Sequence, residues 1–364
     1  MPAASFARYL ARAGLAAAAV LLAAWAYVVM APMAFMDGGY PAWVAKTAML
    51  RDCRLGRVAF FGDSRREGGI VPAALPVEAS NFALAAGTAI EAESAVRRAL
   101  QCGVVPDQVV ISLTAEHFGP LGRFFWIDTL SYGFLSPGEL RDVEPIAARL
   151  GDTLSLTDTK TADGLAGPLR DWLYASHFPS IYFSSLVRAR GFGRLGTNQA
   201  RLAEVLRSRG FSSYGAQFAP PAEAGEAGER PAGFAVTPLQ GEYFERTLRR
   251  LHDRGVPVGL LVLPFKQAGP RNAALEAGYL DYLRSMAARF PNVSLINAGI
   301  AHWPPTLFAD AAHLTEAGAL LFTRRVAACM DGARIRPGCD FDWRPDEVAA
   351  TAMPDAAVPG TATR

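Results

Sequence analysis

The chain opens on an unbroken apolar run and then alternates short β-branched runs with amphipathic stretches of helical period. Residues 13–35 (AGLAAAAVLLAAWAYVVMAPMAF) carry no charge, and a helix of roughly 20 such residues crosses a bilayer. Residues 37–52 read as a juxtamembrane helix or linker. The run 57–61, broken by Gly62-Asp63, predicts a first strand, and 81–84 a short second one. Residues 88–100 predict a helix, with Ile90, Val96 and Leu100 on an apolar face and Glu91, Glu93, Arg97 and Arg98 on a polar one. QVVISL at 108–113, entered through Pro106-Asp107, has the signature of a buried strand.

Regular alternation then stops. From about 119 to 233 no strand period is visible, although 138–150 and 199–209 (QARLAEVLRSR is 199–209) carry helical patterns. The Pro-, Ala-, Gly- and Glu-rich stretch 219–233 predicts an exposed loop. The rhythm resumes with a helix at 239–254, a buried strand at 257–263 (PVGLLVL), a helix at 271–290, a strand at 293–296 and a closing helix at 315–330. Past about 343 the composition predicts a disordered tail. Strands alternating with helices imply right-handed crossovers and a parallel sheet covered on both faces. Four segments follow: a cytoplasmic N-terminus and transmembrane anchor at 1–36, a juxtamembrane segment at 37–56, an α/β domain at 57–343 with a largely helical insertion at about 119–236, and a tail at 344–364.

Composition narrows the setting. With 364 residues, 51% hydrophobic and 19% charged, the chain has enough apolar content for a substantial core. A net charge of +2 gives no electrostatic reason to expect nucleic acid. Arg8 and Arg12 precede the apolar run, and Trp25 and Tyr27 lie nearer its far end. The positive-inside rule then keeps the N-terminus cytoplasmic and exports the rest, giving a single-pass inner-membrane protein whose domain faces the periplasm. A cleaved signal peptide ending near Val29-Met30-Ala31 is the rival, but its apolar region is usually shorter. A buried core helix is a third reading, which the lack of a polar face disfavours. The even set of cysteines, without metal spacing, fits an oxidising compartment, and Cys53–Cys102 with Cys329–Cys339 is the expected pairing; four buried thiols are the alternative.

Chemistry concentrates at three places. Ser64 follows the first strand, where parallel sheets carry their reactive groups. A serine hydroxyl needs a base to become a nucleophile, although Asp63-Ser64 is equally an ordinary helix cap. Asp310 and His313, three residues apart, supply that base and a carboxylate to fix its tautomer. Gly87, opening the helix after the second strand, is a candidate oxyanion donor through its N–H, or simply a turn glycine.

With these residues in this order, Gly62-Asp63-Ser64, Gly87 and Asp310-x-x-His313, the chain resembles the SGNH hydrolase superfamily of GDSL-like esterases from about 57 to 330. The resemblance implies a three-layer α/β/α sandwich with a central parallel sheet, a Ser64–His313–Asp310 triad, and an oxyanion hole from the N–H groups of Ser64 and Gly87 plus an asparagine side chain. One block departs. Thr114-Ala115-Glu116-His117 stands where the family has Gly-x-Asn-Asp, with Glu116 at the asparagine's place. An ionised glutamate donates no hydrogen bond, so Glu116 is protonated, or His117 or an insertion residue donates instead, or the hole is weak. Arg65 either meets an anionic or hydroxyl-rich substrate, as His117 also would, or is a solvated surface arginine.

The anchored layout resembles SGNH domains associated with O-acetylation of exported polysaccharides. That implies an esterase or O-acetyltransferase acting on O-acyl groups of a carbohydrate, with a membrane acyltransferase as a partner. Trp126, Trp172, Tyr174, Tyr182 and Phe211 then either stack on sugar rings or pack the core. No metal or organic cofactor is implied. The competing readings are a catalytically silent scaffold or sugar-binding component of an export complex, and a lipid-directed esterase or thioesterase.

Overall fold

A computed structural model describes residues 3–122, 125–155, 172, 176–215, 233–267 and 272–344. The first apolar run forms one helix, α1 (Ala3–Met30), with a mean hydropathy of 2.1 over Phe6–Met30. It is long and apolar enough to cross a membrane, and only its last turns meet the rest of the protein, where Val28 is fully buried. Pro32 restarts the chain as the short α2 (Pro32–Phe35). The juxtamembrane stretch is a helix, α3 (Tyr40–Arg51), which sinks Trp43, Lys46 and Met49 into the domain.

Five parallel strands make the central sheet: β1 (Val58–Gly62), β2 (Ala79–Asn81), β3 (Gln108–Ser112), β4 (Val258–Leu260) and, beyond a small β5 (Phe265–Lys266), β6 (Val293–Leu295). Their order is β2-β1-β3-β4-β6. The mixed α/β architecture and the parallel sheet expected from the sequence are therefore present. Side chains alternate across the strands. Ala59 and Phe61 of β1, with Val109 and Ile111 of β3, face one core, built with α5 (Ala89–Ala99), α9 (Pro238–Asp253) and α10 (Ala273–Arg289). Val58, Phe60 and Val110 face a second core against α11 (Glu316–Ala328). β5 pairs with β7 (His302–Trp303), and β8 (Met330–Asp331) with β9 (Arg334–Ile335), in two small outlying sheets.

Two strands differ from expectation for a shared reason: asparagine side chains take over the ladder. The run expected at 257–263 pairs only as Val258–Leu260, because the Asn297 amide accepts from Val262 N at 2.7 Å and donates to Val262 O at 2.8 Å. The strand expected at 81–84 pairs as Ala79–Asn81, where the Asn81 amide turns the chain by accepting from Ala83 N and donates to the carbonyls of Arg66, Glu67 and Ile70.

The described part of the insertion is helical, with α6 (Pro137–Arg149), α7 (Pro179–Arg188) and α8 (Leu195–Arg207). The loop expected at 219–233 lies, apart from Gly233, outside the described residues, and so does the tail from 345 onward. Both disulfides are the expected pairs, Cys53–Cys102 and Cys329–Cys339. The first ties the end of α3 to the end of α5, so the juxtamembrane helix is covalently stapled to the sheet's helical cover. Phe60 is wholly buried at the centre of the second core, so Phe60→Ala lowers unfolding free energy by about 3–5 kcal/mol, read as a shifted midpoint in urea unfolding of the detergent-solubilised chain.

Candidate active site

The site begins with a turn that only glycine can make. Gly62 closes β1 at φ +154, and a Cβ there would lie 1.8 Å from Ser112 O on the neighbouring strand. The chain then drops into a single helical turn, α4 (Ser64–Glu67), capped by Asp63. Asp63 is fully buried; its Oδ1 accepts from Arg65 N and Arg66 N at 3.0 and 3.4 Å, and its Oδ2 from Thr114 N at 2.6 Å. One carboxylate thus ties the turn carrying Ser64 to the end of β3. The capping reading of Gly-Asp-Ser and the reactive-serine reading are compatible: Asp63 caps, and Ser64 is left at the first helical position with no acceptor for its N–H among the described residues.

His313 arrives from the far end of the domain. Phe308 and Leu314 bridge, Ala309 N donates to His313 O, and Thr315 caps α11 through Gly318 N. Inside this loop Asp310 Oδ1 accepts from Ala312 N and His313 N at 2.7 and 2.8 Å, while Oδ2 lies 2.7 Å from His313 Nδ1. His313 Nε2 lies 2.8 Å from Ser64 Oγ. Burial would raise the Asp310 pKa, but bonds from the His313 ring and the Ala312 and His313 amides outweigh it and hold the carboxyl well below the usual range. Asp310 therefore stays ionised and fixes the proton on Nδ1, leaving Nε2 free to accept from the serine.

A residue that pattern reading passed over completes this group. Tyr214, from the insertion, stacks on the His313 ring at 3.9 Å between centroids and 3° between planes. Its hydroxyl donates to Glu67 Oε2 at 3.0 Å, and Glu67 Oε1 accepts from Lys46 Nζ at 2.6 Å. Lys46, wholly buried, also donates to Ala83 O. Burial lowers the Lys46 pKa while Glu67 raises it. Burial, followed by the Glu67 charge, pushes the Tyr214 phenol far up, so it remains a donor. A chain of buried polar contacts thus runs from α3 to the face of the histidine.

The oxyanion donors need correction. Gly87 N donates to Leu84 O at 2.9 Å, so it is not free to bind an anion. The same turn is held against the Ser64 loop by Leu84 N donating to Gly62 O, and among the described residues the Ala85 and Ala86 N–H groups on it have no acceptor, Ala86 at φ +55. A non-glycine residue in that left-handed conformation is a strain typical of sites. Glu116 is exposed on the turn after β3; its backbone oxygen accepts from Gly119 N, and its side chain makes no hydrogen bond among the described residues. Thr114 Oγ1 on that turn is buried with no partner among the described residues. His117 Nε2 lies 3.9 Å from Asp63 Oδ2, behind the nucleophile turn. Arg65 is not a freely solvated arginine: it donates to Pro264 O at 2.5 Å and lies 4.5 Å over the Phe265 ring, where burial lowers its pKa and Asp63, Glu116 and Asp310 oppose that.

Of the insertion aromatics, Tyr182 is buried against α1, Trp172 is exposed beside Phe178, and Phe211 packs on the second core. Tyr174 and the Trp126 side chain lie outside the described residues. Among the described residues no group of three or more His, Cys, Asp or Glu is arranged to hold a metal ion. No protein-family model matches the chain, and no curated protein matches it either. The residues of the site therefore carry its interpretation. Lys46→Met strands the Glu67 carboxylate in the interior, and the chain loses about 3–5 kcal/mol of stability, checked by urea unfolding beside the Lys46→Met/Glu67→Gln double variant, which recovers part of the loss.

Proposed function

We propose that this chain is a membrane-anchored serine acyl-transfer enzyme of the SGNH type, and that its sheet with two helix-covered faces is that family's three-layer sandwich. One observation carries the proposal: Ser64 Oγ, His313 Nε2, His313 Nδ1 and Asp310 Oδ2 form a continuous hydrogen-bonded line, with contacts of 2.8 and 2.7 Å. In the first step Ser64 Oγ attacks the ester carbonyl carbon and its proton passes to His313 Nε2. The carbonyl oxygen takes the negative charge and is met by the N–H groups of Ser64 and Ala86. The C–O bond then breaks, the leaving alcohol takes the proton from His313, and an acyl-Ser64 ester remains. Water or a sugar hydroxyl, deprotonated by His313, attacks that ester and regenerates the serine. Tyr214 holds the imidazole plane throughout, and its π-face favours the imidazolium that forms.

The acyl group is proposed to be acetate-sized and the substrate an O-acylated carbohydrate; both rest on the resemblance to polysaccharide-modifying SGNH domains. A domain outside the cytoplasm is supported by the two disulfides and by the arginines before α1. An uncleaved anchor is supported by the end of α1, where Trp25 Nε1 donates to Ser176 O and Tyr27 Oη to Gly191 O, contacts that cleavage near Ala31 would remove.

In detergent, the full chain hydrolyses an activated acetyl ester, and Ser64→Ala abolishes the serine-dependent rate; equal rates in the two proteins would contradict the proposal. Asp310→Asn keeps the fold but loses the tautomer, lowering kcat about 10⁴-fold. Tyr214→Ala frees the imidazole and lowers kcat about 10²-fold with KM little changed, whereas Tyr214→Phe, which keeps the stack, loses less. Adding an oligosaccharide acceptor and following acetyl transfer by mass spectrometry separates transferase from esterase.

A further inference from the structure

Part of the insertion has an apolar surface that the domain itself does not use. α7 turns one side, Tyr182 and Leu186, toward the end of the anchor, and Tyr182 lies 6.4 Å from Phe35 edge-on. Phe183 and Val187, one helical turn apart on another side, are 65% and 58% exposed. The following turn adds Phe192 at 74% and Leu195 at 41%. α7 packs against the end of α1, and Tyr27 of α1 donates to Gly191 O beside Phe192; Val29 and Met30 at that end are themselves 50% and 83% exposed. The exposed apolar side chains thus belong to a segment held against a helix that itself needs apolar surroundings.

The anchor's length fixes the level of this surface. Phe6–Met30 carries charge only at Arg8 and Arg12; with those arginines at one headgroup layer, the uncharged stretch from Ala13 to Met30 rises roughly 27 Å, close to the about 30 Å of hydrocarbon. The end of α1 therefore stands at the opposite headgroup boundary. That is where the protein grips α1: Trp25 Nε1 donates to Ser176 O at 2.7 Å, its ring lies 5.8 Å from Phe178, and Tyr27 Oη donates to Gly191 O at 2.6 Å. Charge agrees with the level. Arg188, Arg190 and Arg194 punctuate the segment, and no acidic residue occurs between Asp171 and Glu204. Apolar side chains beside arginines, without acids, suit the boundary between acyl chains and anionic headgroups.

We propose that residues 176–195 are a membrane-lying collar, with Phe183, Val187, Phe192 and Leu195 inserted among phospholipid acyl chains of the outer leaflet and the exposed Arg188 and Arg190 at the phosphates, while Arg194 donates inward to Phe35 O. The proposal rests on the reading of α1 as a membrane span. Its consequence is orientation: α8 runs from the collar toward Tyr214, which lies on the histidine, so the lipid surface and the triad are held in one frame.

The test uses the full chain in vesicles of phosphatidylethanolamine and phosphatidylglycerol doped with a phospholipid bearing a photoreactive acyl chain. Illumination followed by peptide mapping gives lipid adducts on α1 and on residues 183–195. The triple variant Phe183→Ser/Val187→Ser/Phe192→Ser loses at least tenfold of the adducts in the second region, keeping those on α1 and the serine-dependent esterase rate. Adducts on α1 alone in the unaltered chain overturn the collar and leave the anchor standing. Adducts on neither overturn the anchor and the collar together. Chain-to-chain crosslinks through 183–195 without lipid adducts assign the surface to a second copy and also overturn the proposal.

Discussion

The site depends on the Asp63 carboxylate. It is withdrawn from water and accepts three backbone N–H bonds, two from the turn that carries Ser64 and one from Thr114 beyond the neighbouring strand. Hydrogen bonds to a buried charge are strong, and losing one leaves the charge uncompensated. The position of Ser64 is thereby set by the sheet itself, through β1, β3 and the close approach of Gly62 to Ser112. His313 needs no such fixing from the sheet, because Asp310 organises its loop with backbone and ring contacts at once.

A second polar layer lies beneath this one. Lys46, Glu67 and Tyr214 come from three distant stretches of chain and meet in the interior. Such buried pairs add little net stability over an apolar substitute, yet removing one member costs several kcal/mol. Their effect is to specify one arrangement, α3 against the Ser64 turn and the insertion against the histidine. Arg66, next to Glu67, shows the cost of this density: it is fully buried over the Phe60 ring, its side-chain nitrogens have no partner among the described residues, and burial pushes its pKa down to about 9 against the pull of Asp63.

The parallel sheet was legible because most of its strands are short apolar runs with turn residues at their ends, and Cys53–Cys102 was legible because both cysteines precede such runs; nothing local marked Cys329–Cys339 beyond its closeness in sequence. Ser64, Asp310 and His313 were legible because each sits in a local motif. Tyr214 was not, since stacking on an imidazole leaves no local pattern and its segment has no periodicity. Lys46 and Glu67 were hidden for the same reason; only an isolated lysine in the apolar face of residues 40–51 hinted at a buried partner. Of the two readings of Gly87, the structure agrees with the turn glycine: its amide is spent on Leu84 O, and the left-handed conformation falls to Ala86. The strand ends were misjudged where Asn81 and Asn297 side chains replace backbone partners.

The central claim is that Ser64 carries the acyl group between donor and acceptor. Its most direct test is to mix the full chain with an activated acetyl ester, quench in acid within the first turnovers and map the peptides by mass spectrometry. The account predicts one added acetyl group on Ser64, discharged on further incubation, and none on that peptide when His313 is replaced by alanine. An acetyl group found on another residue, or none on Ser64 while the ester is being consumed, contradicts it.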